Sequence, residues 1–214
     1  MRSCAIFDLD GTLINSLGDL AASVNHTRSL RQLPPLPVEQ IGTYVGEGPV
    51  VLLERSFADA PGTDIEQLLP LYKEYYRSHM ADLTAPYPGI PEGLAELHAA
   101  GIPMAVVTNK HSEAVLGLLK KFNLAEYFNI IIGSGSGFPH KPEPGALLHI
   151  LKEFGADPAQ SWMVGDHFTD LESGRRAGMK RALAAWGFGN PKEEIPDFKA
   201  ANVPELVREI KKSL

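Results

Sequence analysis

Apolar and polar positions change their period along this chain, and those changes divide it into three stretches. Residues 3–7 form a short apolar run that reads as a buried strand and ends in the polar turn Asp8-Leu9-Asp10-Gly11-Thr12. From Ser16 to about Thr84 the period becomes helical. Leu17, Leu20, Ala21, Val24, Thr27 and Arg28 mark one helix, which fades before Pro34-Pro35. Val51, Leu52 and Phe57 mark a second, and Ile65, Leu68, Leu69, Tyr72, Tyr75 and Tyr76 a third that runs through Pro70. No strand signal interrupts this stretch.

Beyond Pro86-Tyr87-Pro88-Gly89, helices alternate with continuous apolar strands. The pattern predicts a helix over 91–100, with Pro91 in its tolerant first turn and Gly101 as its stop. It then predicts strand 104–107, helix 112–122, strand 129–132, helix 145–154, strand 162–164, helix 170–177, strand 181–185 and a closing helix over 204–212. Strands that are apolar on both faces and alternate with helices imply a parallel sheet covered on both sides. The expected fold class is therefore α/β, a doubly wound parallel sheet. The first strand stands apart from the others, so the helical stretch reads as an insertion: core 1–15 and 85–214, all-α module 16–84. The patch Gly133-Ser134-Gly135-Ser136-Gly137 reads as a flexible loop.

Composition narrows the picture. At 214 residues, 44% hydrophobic and 21% charged, the chain is an ordinary globular one with a full core. Twenty Lys+Arg against 26 Asp+Glu leave a net charge of -6, which disfavours a nucleic-acid surface. No apolar run approaches the ~18 residues of a membrane span. The single cysteine, Cys4, excludes an intrachain disulfide and a thiolate zinc site, and reads as a small buried apolar residue. The chain opens at once on a strand, without the basic region and apolar core of a leader, so a cytoplasmic setting is expected.

Ligands of open parallel sheets bind beyond the carboxyl ends of the strands. The polar residues there are Asp8 and Asp10 after the first strand, Thr108 and Asn109 after the next, Lys141 beyond the glycine patch, and Asp166 with Asp170 after strand 162–164. Each has a plainer explanation alone. Asp-Gly-Thr is a common turn, Thr108-Asn109 suits a helix cap, Lys141 suits a solvated surface, and Asp166 and Asp170 suit a turn and a helix start. Together they suit phosphoryl transfer. Crowded carboxylates call for a hard cation such as Mg2+. Lys141, Thr108, Asn109 and the backbone near Gly11 can hold phosphate oxygens. One carboxylate can attack while a second moves protons.

The residues also carry a family resemblance. Phe7-Asp8-Leu9-Asp10-Gly11-Thr12-Leu13, Val106-Val107-Thr108-Asn109-Lys110, His140-Lys141-Pro142-Glu143-Pro144 and Val164-Gly165-Asp166-His167-Phe168-Thr169-Asp170 resemble the four motifs of the haloacid dehalogenase superfamily. The closest likeness is to its phosphoglycolate phosphatase-like branch. The resemblance implies a Rossmann-like core with an inserted helical cap. It implies Asp8 as nucleophile, Asp10 as general acid/base, and Thr108, Asn109 and Lys141 around the phosphoryl group. It further implies Mg2+ on the carboxylates of Asp8 and Asp166 and on the carbonyl of Asp10, with Asp170 orienting that shell. Two departures are visible: His167 stands where relatives usually carry Ser, and Gly135 where they often carry an acid. A structural or solvent-facing role for His167 is expected over a ligand role.

Specificity is expected from the cap. Tyr44-Val45-Gly46-Glu47-Gly48 resembles the family's glycine-containing specificity loop, although a plain linker between cap helices fits it equally. Arg55 suits either a substrate carboxylate or a solvated helix face. The expected partner is a small phosphorylated metabolite, with 2-phosphoglycolate the leading choice, and neither nucleic acid nor membrane. A phosphosugar mutase and a non-catalytic phosphate-binding relative are the alternatives. Oligomeric state is not encoded in any feature of the sequence.

Overall fold

The computed structural model describes residues 3–212. In chain order the elements are β1 (Ala5–Phe7), β2 (Ile14–Asn15), α1 (Leu17–Ser29), α2 (Val38–Gly42), α3 (Pro49–Ser56), α4 (Ile65–His79), β3 (Ala85–Pro86), α5 (Ile90–Ala99), β4 (Met104–His111), α6 (Ser112–Lys121), β5 (Ile130–Ser134), α7 (Gly145–Phe154), β6 (Trp162–Gly165), α8 (Phe168–Arg176), β7 (Lys180–Ala184), β8 (Phe198–Ala200) and α9 (Val203–Lys211). Six strands form a wholly parallel sheet in the order β5-β4-β1-β6-β7-β8. The chain winds outward in one direction from β1 through β4 to β5, and in the other from β6 to β8. β1 thus lies at the reversal point, where doubly wound sheets place their ligands.

Alternate residues of each central strand feed opposite sides, as the period of two requires. Ala5, Phe7, Met104, Val106, Trp162 and Val164 enter one apolar cluster with Leu94, Val115, Leu118, Leu206 and Ile210 of the covering helices. Ile6, Ala105, Val107 and Met163 enter the other, against Leu147, Ile150 and Leu151 of α7. Cys4 is buried in this second cluster.

The segment between β2 and β3 packs around a third cluster, built from Leu20, Val24, Ile41, Leu52, Leu53, Phe57, Leu68, Tyr72 and Tyr76. α4 runs through Pro70, capped by the Asp64 carboxylate, which accepts from the N–H groups of Glu66 and Gln67. Both crossings into this module are tied down. Ile14 and Asn15 pair antiparallel with Pro86 and Ala85. Buried Asp19 accepts from Leu83 N (2.9 Å), Thr84 N (2.9 Å) and Thr84 Oγ1 (2.6 Å).

Several features differ from the sequence expectation, among them the short β2–β3 sheet and a β4 that runs on to His111. β8 is an additional strand, an edge of three residues with exposed Lys199, too short to show a period. α2 is an additional five-residue helix. The glycine patch is only partly loop, because Gly133 and Ser134 belong to β5.

Candidate active site

The sharp turn after β1 gathers three N–H groups, those of Thr12, Leu13 and Ile14, on the single carbonyl of Leu9. It holds Asp8 at the sheet edge, where its own N–H donates to Val164 O of β6 (2.9 Å). Gly11 makes the turn possible. Its φ is +82°, and a Cβ there would stand 2.0 Å from Asp166 Oδ2. The Asp166 carboxylate lies against this bare backbone, accepting from Gly189 N (2.7 Å) and Thr12 Oγ1 (3.2 Å).

β4 carries its polar residues on a bulge. Between the pairs Val107↔Ile132 and His111↔Ser134, β4 has three residues and β5 only Gly133. The extra chain lets Lys110 reach Asp10 beyond β1 while Asn109 reaches Lys141 and Gly46, as bulges beside active sites commonly re-aim side chains. Lys110 Nζ donates to both oxygens of Asp10 (2.9 and 3.0 Å), and Ser16 Oγ donates to Asp10 Oδ1 (2.5 Å). The Asn109 amide is fully committed to backbone. It donates to Lys141 O (3.0 Å) and Gly46 O (2.9 Å) and accepts from Lys141 N (2.9 Å).

Lys141 is buried rather than solvated. Its ammonium donates to Asp170 Oδ1 (2.5 Å) and lies 2.9 Å from Asp8 Oδ1. The approach to Asp8 is an ion pair, and this buried oxygen has no other donor. Oxygens of Asp8, Asp166 and Asp170 lie within 4.8 Å of one another. Burial, tempered by Lys141 and reinforced by Asp170 and Asp10, pushes Asp8 up to about 6. Burial and the charges of Asp170 and Asp8 raise Asp166 well above the ordinary carboxylate range. Burial pulls Lys141 down, but Asp170 and Asp8 together outweigh it and keep the ammonium above its usual value. Three buried carboxylates with one ammonium leave uncompensated negative charge, and the donor set is all oxygen. That chemistry fits a hard divalent cation such as Mg2+.

The cap loop closes over this rim. Gly46 has φ +122°, and a Cβ there would lie 2.7 Å from the His167 ring. His167 is the N-cap of α8, its Nδ1 accepting from Thr169 N while the Asp170 carboxylate accepts from His167 N (3.0 Å). Burial lowers His167 to about 4, so at neutral pH it is an uncharged cap, and it lies outside the carboxylate cluster. Glu47 accepts from the half-exposed Arg55 (2.7 Å), and neither residue lines the cavity beside Asp8. Gly48 lies with Gly46 on the wall of a cavity of ≈ 90 Å³ that also reaches Asp8, Asp10, Thr108 and Lys141's partner Asn109. Gly135, in the turn after β5, stays away from that cavity.

The core residues read from sequence therefore lie together, with Asp8, Asp166 and Asp170 grouped apart from Asp10, whose side chain points to Lys110 and Ser16. Asn109, expected on the phosphoryl group, spends both amide hydrogens on backbone carbonyls, and Glu47 lies off the cavity. Lys110, Tyr72, Tyr76 and one loop also contribute and were not singled out from sequence. Lys110 stood inside a quoted motif and followed two assigned residues. Tyr72 and Tyr76 stood in the helical pattern of α4, where an aromatic at core spacing carries no separate signal. The loop Gly187-Phe188-Gly189, which covers Asp166, falls in a stretch without periodicity.

Comparison with known proteins gives the family. The family model for haloacid dehalogenase-like hydrolases matches residues 5–184. A phosphoglycolate phosphatase of Aquifex aeolicus is 36% identical over 203 residues, covering 95% of this chain and 94% of its own. One from Chromobacterium violaceum is 34% identical over 205 residues, covering 94% and 92%. Among solved structures, a protein of Haemophilus somnus described as a predicted phosphoglycolate phosphatase superposes with a TM-score of 0.91 at 28% identity, covering 97% of each chain.

Proposed function

Because the chain belongs to the haloacid dehalogenase-like hydrolase family, we propose that it is a Mg2+-dependent phosphatase of small phosphomonoesters that works through an aspartyl-phosphate on Asp8. The supporting observation is the Asp8 carboxylate itself. It is buried, and one of its oxygens faces Lys141 at 2.9 Å and has no other donor. That is the setting of a nucleophile held beside a cation that can also take a phosphate oxygen.

The carboxylates of Asp8 and Asp166 and the carbonyl of Asp10 would hold the cation, with Asp170 steadying Lys141 and the shell. When bound, Mg2+ supplies positive charge to the transferring phosphoryl oxygens. Lys141 and the Thr108 hydroxyl orient the phosphate against Asp8. Asp8 attacks phosphorus in line, and the ester oxygen leaves with a proton from Asp10. Asp10 then takes a proton from water, whose oxygen attacks the phosphorus of the aspartyl-phosphate and releases Asp8 and inorganic phosphate. Residues 16–84 act as the cap, with the Gly46–Asn109 contact excluding bulk water during the reaction. The similar phosphoglycolate phosphatases make 2-phosphoglycolate the leading substrate.

The test is phosphate release from a panel of small phosphomonoesters, with and without Mg2+, for the parent and Asp8→Asn. Release that needs the metal and drops by at least ~10^3-fold in the variant supports the assignment. Equal activity of parent and variant would overturn it.

A further inference from the structure

Three buried side-chain polar atoms among the described residues lack a hydrogen-bond partner: Asp8 Oδ1, Ser56 Oγ and Tyr76 Oη. Such atoms are uncommon and costly, and each calls for an explanation. Asp8 and Tyr76 line the same cavity, whereas Ser56 does not. Asp8 is explained by the reacting phosphate. Tyr76 comes from α4 of the cap and is buried.

Its surroundings define what it can bind. Lys110 Nζ sits 4.6 Å from the centre of the Tyr76 ring, and Tyr72 stacks on that ring at 6.0 Å with an interplanar angle of 6°. An ammonium has three hydrogens, and Lys110 aims two contacts at Asp10, which also accepts from Ser16. Leu20, Val45 and Leu52 line the same cavity and carry no side-chain acceptor, and the acceptors nearest in the lining are the Tyr72 phenol and Asp10, which is already engaged by Lys110 and Ser16. The charge of Asp10 reaches the Tyr76 phenol, which is held well above its usual value chiefly by burial. The orphan hydroxyl is therefore a neutral donor. It stands close to the acid that protonates the leaving oxygen.

We propose that Tyr76 and Lys110 form the leaving-group subsite, donating to a carboxylate carried within one or two carbons of the ester oxygen. This rests on the phosphatase reading above and specifies what lies beyond the phosphate. Two donors on an apolar wall suit an acceptor-only group. A carboxylate is such a group, whereas a hydroxyl brings a proton that needs an acceptor of its own. Lys110 also holds Asp10, so Tyr76 is the donor that serves discrimination among leaving groups alone.

The experiment compares kcat/KM for 2-phosphoglycolate, 2-hydroxyethyl phosphate and ethyl phosphate in the parent, Tyr76→Phe and Ser56→Ala. The expected result is a parent preference for phosphoglycolate over ethyl phosphate that shrinks by about tenfold or more in Tyr76→Phe, the size of one hydrogen bond to a charged group. Ser56→Ala, which removes an orphan hydroxyl outside the cavity, keeps the parent ratio. Without ligand, Tyr76→Phe melts about 2–4 °C higher, because an unpaired buried hydroxyl has gone. An unchanged ratio in Tyr76→Phe overturns the subsite. A ratio that falls for 2-hydroxyethyl phosphate and not for phosphoglycolate overturns the carboxylate. Turnover of ethyl phosphate that disappears in Asp8→Asn keeps the phosphatase assignment standing in either case. A parent that hydrolyses none of the three overturns both.

Discussion

A methyl group on Gly11 would collide with the carboxylate of Asp166 and impose a side chain on a φ of +82°. Both effects act at one atom of the site. Gly11→Ala is expected to lose roughly 1–3 kcal/mol of stability from the backbone conformation, and to lose phosphate release through displacement of Asp166. Thermal melts and the phosphate assay read these separately. His167 gives the opposite expectation. It is an uncharged helix cap pressed against Gly46, and it lies outside the carboxylate cluster. Serine also caps helices well. His167→Ser should leave Mg2+ affinity by calorimetry unchanged, and a weakened affinity would make the imidazole part of the metal site. The motif residues were legible in the sequence because a turn or a strand end is encoded in a few neighbouring positions. The packing of His167 on Gly46 was not, since Gly46 lies far away in sequence.

Within the cap, one charged residue joins several elements. Arg28 of α1 is fully buried; its guanidinium donates to Pro34 O (2.8 Å), to Ser56 O at the end of α3, and to both oxygens of Asp59 (2.8 and 2.7 Å). Removing a buried partner of this kind costs about 3–5 kcal/mol, and Arg28→Ala should fall in that range by denaturant unfolding. The hydrogen bonds from Arg28 hold the Asp59 carboxyl below its ordinary value. A carboxyl lowered by folding contributes stability that is complete above its unfolded value near 3.8 and is lost as pH falls through the lower folded value. Asp59→Asn should therefore melt below the parent at pH 6, with the gap closing in strong acid. A gap independent of pH would remove Asp59 from the acid response. The sequence showed Arg28 at a helical core position and nothing more, because its acceptors come from later segments.

Cap and core meet through backbone as much as through side chains. The Asn109 amide links Gly46 of the cap loop to Lys141 of the core. Asn109→Ala should speed hydrogen exchange at residues 44–48 while leaving β1 and β6, in the middle of the sheet, protected. A bound phosphate analogue should slow exchange across 16–84. An unresponsive cap would argue against closure as part of the reaction.

The sequence by itself determined the alternation of helices and strands, the parallel character of the sheet, the inserted helical segment and the seven polar residues at its carboxyl edge. Periodicity, turn chemistry and strand-end position are local properties, so one chain read alone contains them. Tertiary structure decided which of those residues touch. The ion pair of Lys110 with Asp10 spans 100 positions, and the hydrogen bond of Asn109 to Gly46 spans 63. It also decided that Tyr76, spaced like any core aromatic of α4, brings an unpaired hydroxyl to the cavity. Strand order and cap docking arise from burying three separate apolar clusters at once, and packing between distant segments leaves no period in the chain.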